Sequence, residues 1–371
     1  MKILLIEPFF TGSHKQWAEG FKRHSSHDIT LLTMSGHHWK WRMHGAAVTL
    51  SRKFLEMDEE FDLILASDML DLSTFLALSR RKTYNIPCAI YFHENQLSYP
   101  GSKRDTDRVA KRDNHYAFIN FSSALSADHC FFNSEYHRAD FLSQLGPFLN
   151  AFPDHNEQNA RLLIEEKSKI LPLGLDLKAF DKHRMESEAE SPVILWNHRW
   201  EFDKDPDSFF QALMKMSEKG LDFRLVVLGE QFKESPPIFD EARMKLEKHI
   251  LHWGQVDDFS DYAQWLWKSD LLPVTSRQDF FGGSAVEAIY CNCVPLLPNR
   301  LAFPEHIPKN QHEVFLYEEN EFSDKLEFML KNPQKSEHLQ EWVGKYNWES
   351  LIGIYDESME KTKGHPNGQP F

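Results

Sequence analysis

Asp279-Phe280-Phe281-Gly282-Gly283-Ser284-Ala285-Val286-Glu287 sets two carboxylates around a Gly-Gly turn. A strand-like apolar run, Leu271 to Thr275, precedes it, and a helix-like run, Ala285 to Tyr290, follows. Strand, glycine turn and helix is the arrangement by which an open α/β sheet offers backbone N–H groups to an anion. The glycines let the main chain approach closely, and the helix N-terminus favours a phosphate. Glu287, one turn inside that helix, cannot favour a phosphate and needs another partner, such as sugar hydroxyls. Phosphate plus hydroxyls describes a nucleotide sugar. A βα turn closed by Gly-Gly, with Glu287 solvated, accounts for the same residues without a ligand.

The surrounding chain alternates strands with helices. Ile3 to Ile6, Ile29 to Thr33, Leu63 to Ala66, Ala89 to Phe92, Cys130 to Asn133 and Ile170 to Leu173 read as buried strands of a first half. Val193 to Trp196, Arg224 to Leu228, Ile250 to Trp253, Leu271 to Thr275 and Val294 to Leu297 form a second set. Helical patterns such as Ser73 to Arg81, Tyr136 to Leu145, Pro206 to Lys219 and Phe259 to Lys268 lie between them. This alternation predicts an α/β protein with a parallel sheet in each half. The charged segment Asp181 to Glu190 reads as the linker. The expected domains are 1–180, 181–345 and a C-terminal stretch, 346–371, whose end from Gly364 is loose. Two such domains facing a cleft place ligands at the carboxyl ends of both sheets.

Composition narrows the function classes. A chain of 371 residues with 41% hydrophobic residues suits two domains of ordinary size. A net charge of −14 argues against a general nucleic-acid coat and leaves room for a local basic patch. The four cysteines, Cys88, Cys130, Cys291 and Cys293, fit neither a disulfide framework nor a Cys-x-x-Cys zinc site, and read as reduced core thiols. The N-terminus meets an acid at Glu7, unlike a signal peptide, and no apolar run reaches membrane-spanning length. A cytoplasmic protein without a membrane span is expected, with no obligate protein partner.

Four loops stand out. Thr11-Gly12-Ser13-His14 follows the first strand and can bring backbone donors to a phosphate or sugar; Ser13 as a helix N-cap is the plainer account. His93-Glu94-Asn95-Gln96 follows the strand ending at Phe92 and suits a sugar-binding or catalytic loop, or an internally bonded turn. Arg199 and Lys204 lie in the loop before Pro206, where a planar fork and a point charge suit a diphosphate. Ion pairs with Glu201, Asp203 and Asp205 are the alternative. His37-His38-Trp39-Lys40-Trp41-Arg42 and the cluster Lys103, Arg104, Arg108, Lys111 and Arg112 mix cations with aromatics, as a base-stacking surface does; each also suits an ordinary exposed face. No carboxylate or thiolate is spaced to complete a metal site with His37 and His38.

The ordered set resembles retaining glycosyltransferases of the GT-B fold. Leu171-Pro172-Leu173-Gly174-Leu175-Asp176 is similar to the family's Pro-x-Gly-Val-Asp crossing into the second domain. His198 to Lys204 resembles its Gly-Arg-Leu…Lys-Gly loop, and Asp279 to Glu287 its Glu-x7-Glu element. Val226 to Glu230 and His252 to Val256 resemble two further strand ends, and the Trp348 region resembles the terminal helix that returns to the first domain. Within this family, Gly12 to Gln16, Trp39 to Arg42, Tyr91 to Leu97, His198 to Pro206, Leu251 to Gly254 and Phe280 to Gly282 look like the tRNA-queuosine α-mannosyltransferase group. The resemblance implies two Rossmann-like domains facing a central cleft and a hexose, mannose from GDP-mannose, moved to queuosine in tRNA with retention. Asp279 stands where the family has Glu, one methylene shorter.

On this reading His93, Arg199, Lys204 and Asp279 are catalytic. Gly12, Ser13, Arg199, Lys204, Gly229, Phe281, Gly282, Gly283, Ser284 and Glu287 bind the donor. Trp39, Trp41, Arg42, Asn95, Gln96, Arg108 and Arg112 bind the acceptor. No cofactor or metal is expected, because the cations and helix amides take the diphosphate's charge. A glycan, lipid or small-molecule acceptor, or a nucleotide-sugar epimerase on the same fold, are the alternatives.

Overall fold

The computed structural model describes residues 1–99, 114–186, 189–231 and 235–363. The chain divides into two compact units: residues 1–175 together with the C-terminal helix Trp348–Lys363, and residues 176–347.

The first unit holds a parallel sheet of six strands in the order β2-β1-β3-β4-β5-β6. These are β1 (Lys2–Phe10), β2 (Asp28–Ser35), β3 (Leu63–Ser67), β4 (Cys88–Phe92), β5 (His129–Phe132) and β6 (Ser168–Ile170). Helices cover both faces, so Ile3, Leu4, Leu5 and Ile6 are all fully buried and the strand reads as an unbroken apolar run. The chain starts at β1, adds β2 on one side and the later strands on the other. The order therefore reverses between β1 and β3, and a crevice opens at the carboxyl ends of those strands.

Two elements differ from the sequence reading. β1 continues to Phe10, with a register shift after Glu7, and the helix that follows begins at Gly12, inside the Thr11 to His14 loop. The His37 to Arg42 stretch is not all loop: a helix, Trp39–Glu56, begins inside it. Met43, Ala46, Ala47, Leu50 and Phe54 are its buried face, a 3.6-residue pattern that was present in the sequence.

The Trp348–Lys363 helix is part of the first unit's core. The indole of Trp348 is 1% exposed and lies where only glycines leave room. A Cβ on Gly20 would sit 2.1 Å from its Nε1, and one on Gly174 would sit 2.6 Å from its ring. Further along, the Tyr355 hydroxyl donates to the Pro172 carbonyl (2.8 Å) and accepts from Trp17 Nε1 (3.1 Å).

The second unit repeats the plan. Its sheet runs β12-β11-β10-β7-β8-β9, all parallel. The strands are β7 (Val193–Trp196), β8 (Arg224–Val227), β9 (Ile250–Trp253), β10 (Leu271–Pro273), β11 (Val294–Pro298) and β12 (Leu316–Tyr317). Here the order reverses between β7 and β10, so the loops after these two strands flank one crevice.

The expected break after residue 180 falls instead after Leu175. Phe180 packs on Phe259 (ring centroids 4.9 Å) and its carbonyl accepts from Trp267 Nε1 (2.8 Å), which binds the Leu177–His183 turn to the second unit. Asp181, expected in a linker, accepts from the Tyr290 hydroxyl at 3.1 Å. All four cysteines are free and buried. Among the described residues no helix is long and apolar enough to cross a membrane.

Candidate active site

The β7 and β10 loops are joined by backbone and side-chain bonds. Thr275 Oγ1 lies 2.9 Å from the carbonyls of both Lys204 and Asp205. Arg277 donates from its backbone N–H to the Asp203 carbonyl (2.8 Å) and from Nε to Asp205 Oδ2 (2.8 Å). Asp205 also caps the Pro206–Glu218 helix through Ser208. The ends of two strands remote in sequence are thereby held in fixed register.

Lys204 and Asp279 meet in this frame. Lys204 Nζ donates to Asp279 Oδ2 (2.9 Å) and to the Gln278 carbonyl (3.0 Å), and lies 3.4 Å from Asp203 Oδ2. Burial works against the lysine's charge, yet Asp279 and Asp203 together hold its pKa above the ordinary value. For Asp279 burial likewise opposes the charge, and Lys204 outweighs it, so the carboxyl is held below its usual range. Arg199 makes a different pair: its side chain is half exposed, its Nη2 is 3.1 Å from Glu201 Oε2, and its charge acts on both Lys204 and Asp279.

The Gly-Gly turn carries out the expected geometry. Gly282 has φ +83°, and a Cβ there would come within 2.9 Å of Phe303, so both the turn and the packing require glycine. The Gly283–Tyr290 helix starts immediately after; Ala285 N–H already bonds the Gly282 carbonyl (3.0 Å), and the N–H groups of Gly283 and Ser284 lie before the first helical bond. The Phe281 side chain is buried against His306 and Tyr346, and its carbonyl lies 2.5 Å from His306 Nε2, so its ring is a packing group of the turn. Gly229 (φ +106°) stands behind the β7 loop, where a Cβ would sit 2.0 Å from the His198 carbonyl.

Glu287 Oε2 accepts from the Tyr262 hydroxyl at 2.8 Å, and burial raises its pKa to about 7. Sequence reading missed Tyr262, whose hydroxyl lies 25 residues away across two elements. On the ribose role expected from the sequence, Glu287 would accept from two hydroxyls as the carboxylate, and affinity for a nucleoside, which carries no titrating phosphate, is then expected to rise about tenfold between pH 6 and pH 8. Glu287→Gln should flatten the profile, as isothermal titration at several pH values would show. Stability runs the other way. The folded pKa lies above the unfolded one, so the stabilisation from the neutral acid is complete below the unfolded value and lost as pH rises through about 7.

At the crevice of the first unit the structure gathers residues the sequence did not single out together. Glu7 is fully buried within β1, where the register shifts, and its Oε2 lies 3.0 Å from His14 Nδ1. Burial disfavours an imidazolium there, but Glu7 overrides it and lifts the His14 pKa to about 9. The His93 ring lies against His14 (centroids 4.1 Å, tilted 38°) and packs edge-on to Trp17 at 4.7 Å. Its backbone N–H donates to Asp68 Oδ1 (2.8 Å), and burial raises the Asp68 pKa. His93 Nε2 and Asp68 Oδ2 are buried without hydrogen-bond partners. Glu7, His14 and His93 converge as metal ligands can. The 3.0 Å approach of Glu7 to His14 and the raised His14 pKa also suit a proton held between the two. The sequence signal was an acid inside the apolar first strand and another directly after the third.

Several expected contacts take other roles. Asn95 is fully buried and its Oδ1 accepts from Leu97 N (3.1 Å) and Ser98 N (3.2 Å), which makes it a turn residue. Gln96 donates to Glu94 (2.8 Å). Gly12 (φ +49°) and Ser13 are exposed in the first helical turn, with Thr11, not Ser13, at the cap. Trp39 is half-buried and Trp41 is 64% exposed, but Arg42 turns inward and binds Ser35 through Nε (3.0 Å) and Nη2 (3.1 Å). Arg42 fastens the Trp39–Glu56 helix to the end of β2 and leaves the proposed surface. Lys103, Arg104, Arg108, Lys111 and Arg112 lie outside the described residues.

Comparison with known proteins agrees with this architecture. Residues 2–175 match the family described as tRNA-queuosine alpha-mannosyltransferase N-terminal. Residues 178–344 match glycosyl transferases group 1. The chain is 32% identical over 316 residues to the tRNA-queuosine alpha-mannosyltransferase of Drosophila melanogaster, covering 83% of this chain and 82% of that one. Its fold is similar to sucrose-phosphate synthase from Thermosynechococcus elongatus (TM-score 0.71, 14% identity, 97% of this chain and 98% of that one). It is also similar to HepE of Anabaena in complex with UDP (TM-score 0.67, 14% identity, 97% and 100%). The chain is a glycosyltransferase of the GT-B fold and belongs to the tRNA-queuosine alpha-mannosyltransferase family.

Proposed function

We propose that the protein transfers mannose from GDP-mannose to queuosine in tRNA. The observation that carries the donor side is the convergence of Lys204, Asp279 and the Gly283 helix N-terminus at the point where strand order reverses. The acceptor is supported by the similarity to the Drosophila relative, whose name states tRNA-queuosine.

The chemistry follows from the charges. Lys204 is largely neutralised by Asp279 and Asp203, so it steadies a diphosphate without dominating it. Arg199 supplies the more exposed cation. Its partially exposed pair with Glu201 is weak, ~0–1 kcal/mol, and exchanges readily for phosphate. With the N–H groups of Gly283 and Ser284 these cations stabilise charge on the departing diphosphate, and no metal is needed. Asp279 orients sugar hydroxyls through the oxygen not held by Lys204, and Glu287 holds the ribose. The acceptor hydroxyl attacks on the face the diphosphate leaves, and a leaving phosphate oxygen takes its proton.

Acceptor binding is assigned to the first unit. Trp41 is exposed, and Lys40 lies over the rings of Trp39 (5.7 Å) and Tyr116 (5.8 Å). These aromatics and Lys40 make a stacking surface on an otherwise acidic protein. The test is radiolabel transfer from GDP-mannose to total tRNA with and without queuosine. Transfer to queuosine-containing tRNA alone is expected, weakening steeply with salt as counterions are released. Trp41→Ala should lower transfer about tenfold with donor affinity unchanged. Transfer to a membrane extract or glycan instead, or conversion of the donor without an acceptor, would replace this reading.

A further inference from the structure

Asn197 and His198 stand between β7 and the cations, and both fasten onto Ser284 in the first turn of the Gly283 helix. Asn197 Nδ2–H donates to the Ser284 carbonyl (2.7 Å), and His198 Nδ1 lies 2.9 Å from Ser284 Oγ. The His198 carbonyl accepts from Trp196 Nε1 at 2.9 Å, and Gly229 closes against it from behind. The imidazole is thus fixed at 3% exposure with one nitrogen engaged. The other, Nε2, is buried and has no hydrogen-bond partner. A polar atom fully desolvated and left unbonded is uncommon in a native fold, and ligand sites are one place where it occurs.

We infer that His198 Nε2–H is a hydrogen-bond donor kept for a phosphate oxygen of the nucleotide-sugar diphosphate, making His198 a third phosphate-binding residue beside Arg199 and Lys204. The inference rests on the donor reading above. The surroundings select the tautomer. Lys204, Arg199 and a helix N-terminus favour an anionic occupant, and an anion only accepts. Nε2 therefore carries the hydrogen, and the Ser284 hydroxyl donates to Nδ1. Burial first, then Lys204, hold the imidazole pKa down at about 3 against the opposing pull of Asp279, so the ring is neutral at working pH. A neutral ring donates a hydrogen bond to the leaving phosphate without competing for the proton that the acceptor releases.

Two variants separate this role from a structural one. His198→Asn keeps a polar group near Ser284 but does not reach the Nε2 position; His198→Gln puts an amide N–H close to it. Affinities for GDP, inorganic pyrophosphate and guanosine would be measured by isothermal titration, with thermal unfolding as the control for folding. For His198→Asn, GDP and pyrophosphate are expected to bind about ten- to hundredfold more weakly with guanosine unchanged, the scale of one charge-assisted hydrogen bond. His198→Gln should recover most of the loss. Unchanged pyrophosphate affinity in His198→Asn, or an equal loss for guanosine, overturns the inference. If the wild type binds pyrophosphate and not GDP, the GDP-mannose reading fails while pyrophosphate still tests His198; if it binds neither, both fall.

Discussion

Lys204→Ala is expected to abolish transfer to within about a hundredth of the wild-type turnover and to lower the stability of the second unit by about 3–5 kcal/mol. Both effects come from one contact. Lys204 Nζ is 2.9 Å from Asp279 Oδ2, and the two side chains are 10% and 17% exposed. Removing the lysine leaves a mostly buried carboxylate with no cation at hydrogen-bond distance. The Asp279 pKa, now held down chiefly by Lys204 against burial, should rise, so that the destabilisation is greatest at neutral pH and shrinks as pH falls and Asp279 takes up a proton. Lys204→Ala/Asp279→Ala removes both charges and should regain part of the stability without regaining turnover. Denaturant unfolding and single-turnover transfer would read the two quantities. A single variant that folds like the wild type and turns over normally would remove Lys204 from the catalytic group.

Trp348→Ala is expected to cost about 3–5 kcal/mol in the first unit, at the upper end for a single side chain. The indole fills space that Gly20 and Gly174 leave open, stacks on Phe21 (centroids 6.2 Å) and contacts Tyr355 at 5.1 Å. Its loss leaves a large cavity and loosens the helix that carries Tyr355 and Asp356. Asp356 in turn accepts from Ser25 Oγ (2.6 Å) and Ser26 N (2.9 Å). Gly20→Ala should mimic the effect from the other side, because its Cβ would overlap the indole. GDP affinity, a property of residues 176–347 on the present reading, should stay near wild type in both variants. A parallel loss of nucleotide binding would show that the C-terminal helix supports the donor site as well.

Much of this protein is written locally in its sequence. Short apolar strands alternating with helices specify parallel sheets, because each crossover must cover a face that cannot stay wet. The Asp279 to Glu287 segment could be read as a strand end, glycine turn and helix start, since turn and cap conformations depend on neighbouring residues and Gly282 needs its positive φ. The resemblance of these motifs carried the family. The helix from Trp39 was also legible from its apolar spacing, and the aromatic–cation composition of its first turn obscured it.

What only the tertiary structure decided are the partners. Strand order is set by hydrogen bonding between segments far apart in the chain, and nothing local states that β10 pairs with β7 and brings Asp279 to Lys204, 75 positions away. The sequence reading gave both cations to a diphosphate; the structure buries one in a carboxylate pair and leaves the other half exposed. Arg42 looked like a surface cation until burial turned it onto Ser35, and Glu7 counted only as an acid unlike a signal peptide until the fold set His14 against it. In each case the residue type was visible, but its ionisation and its role follow from desolvation and from a partner that only the folded chain supplies.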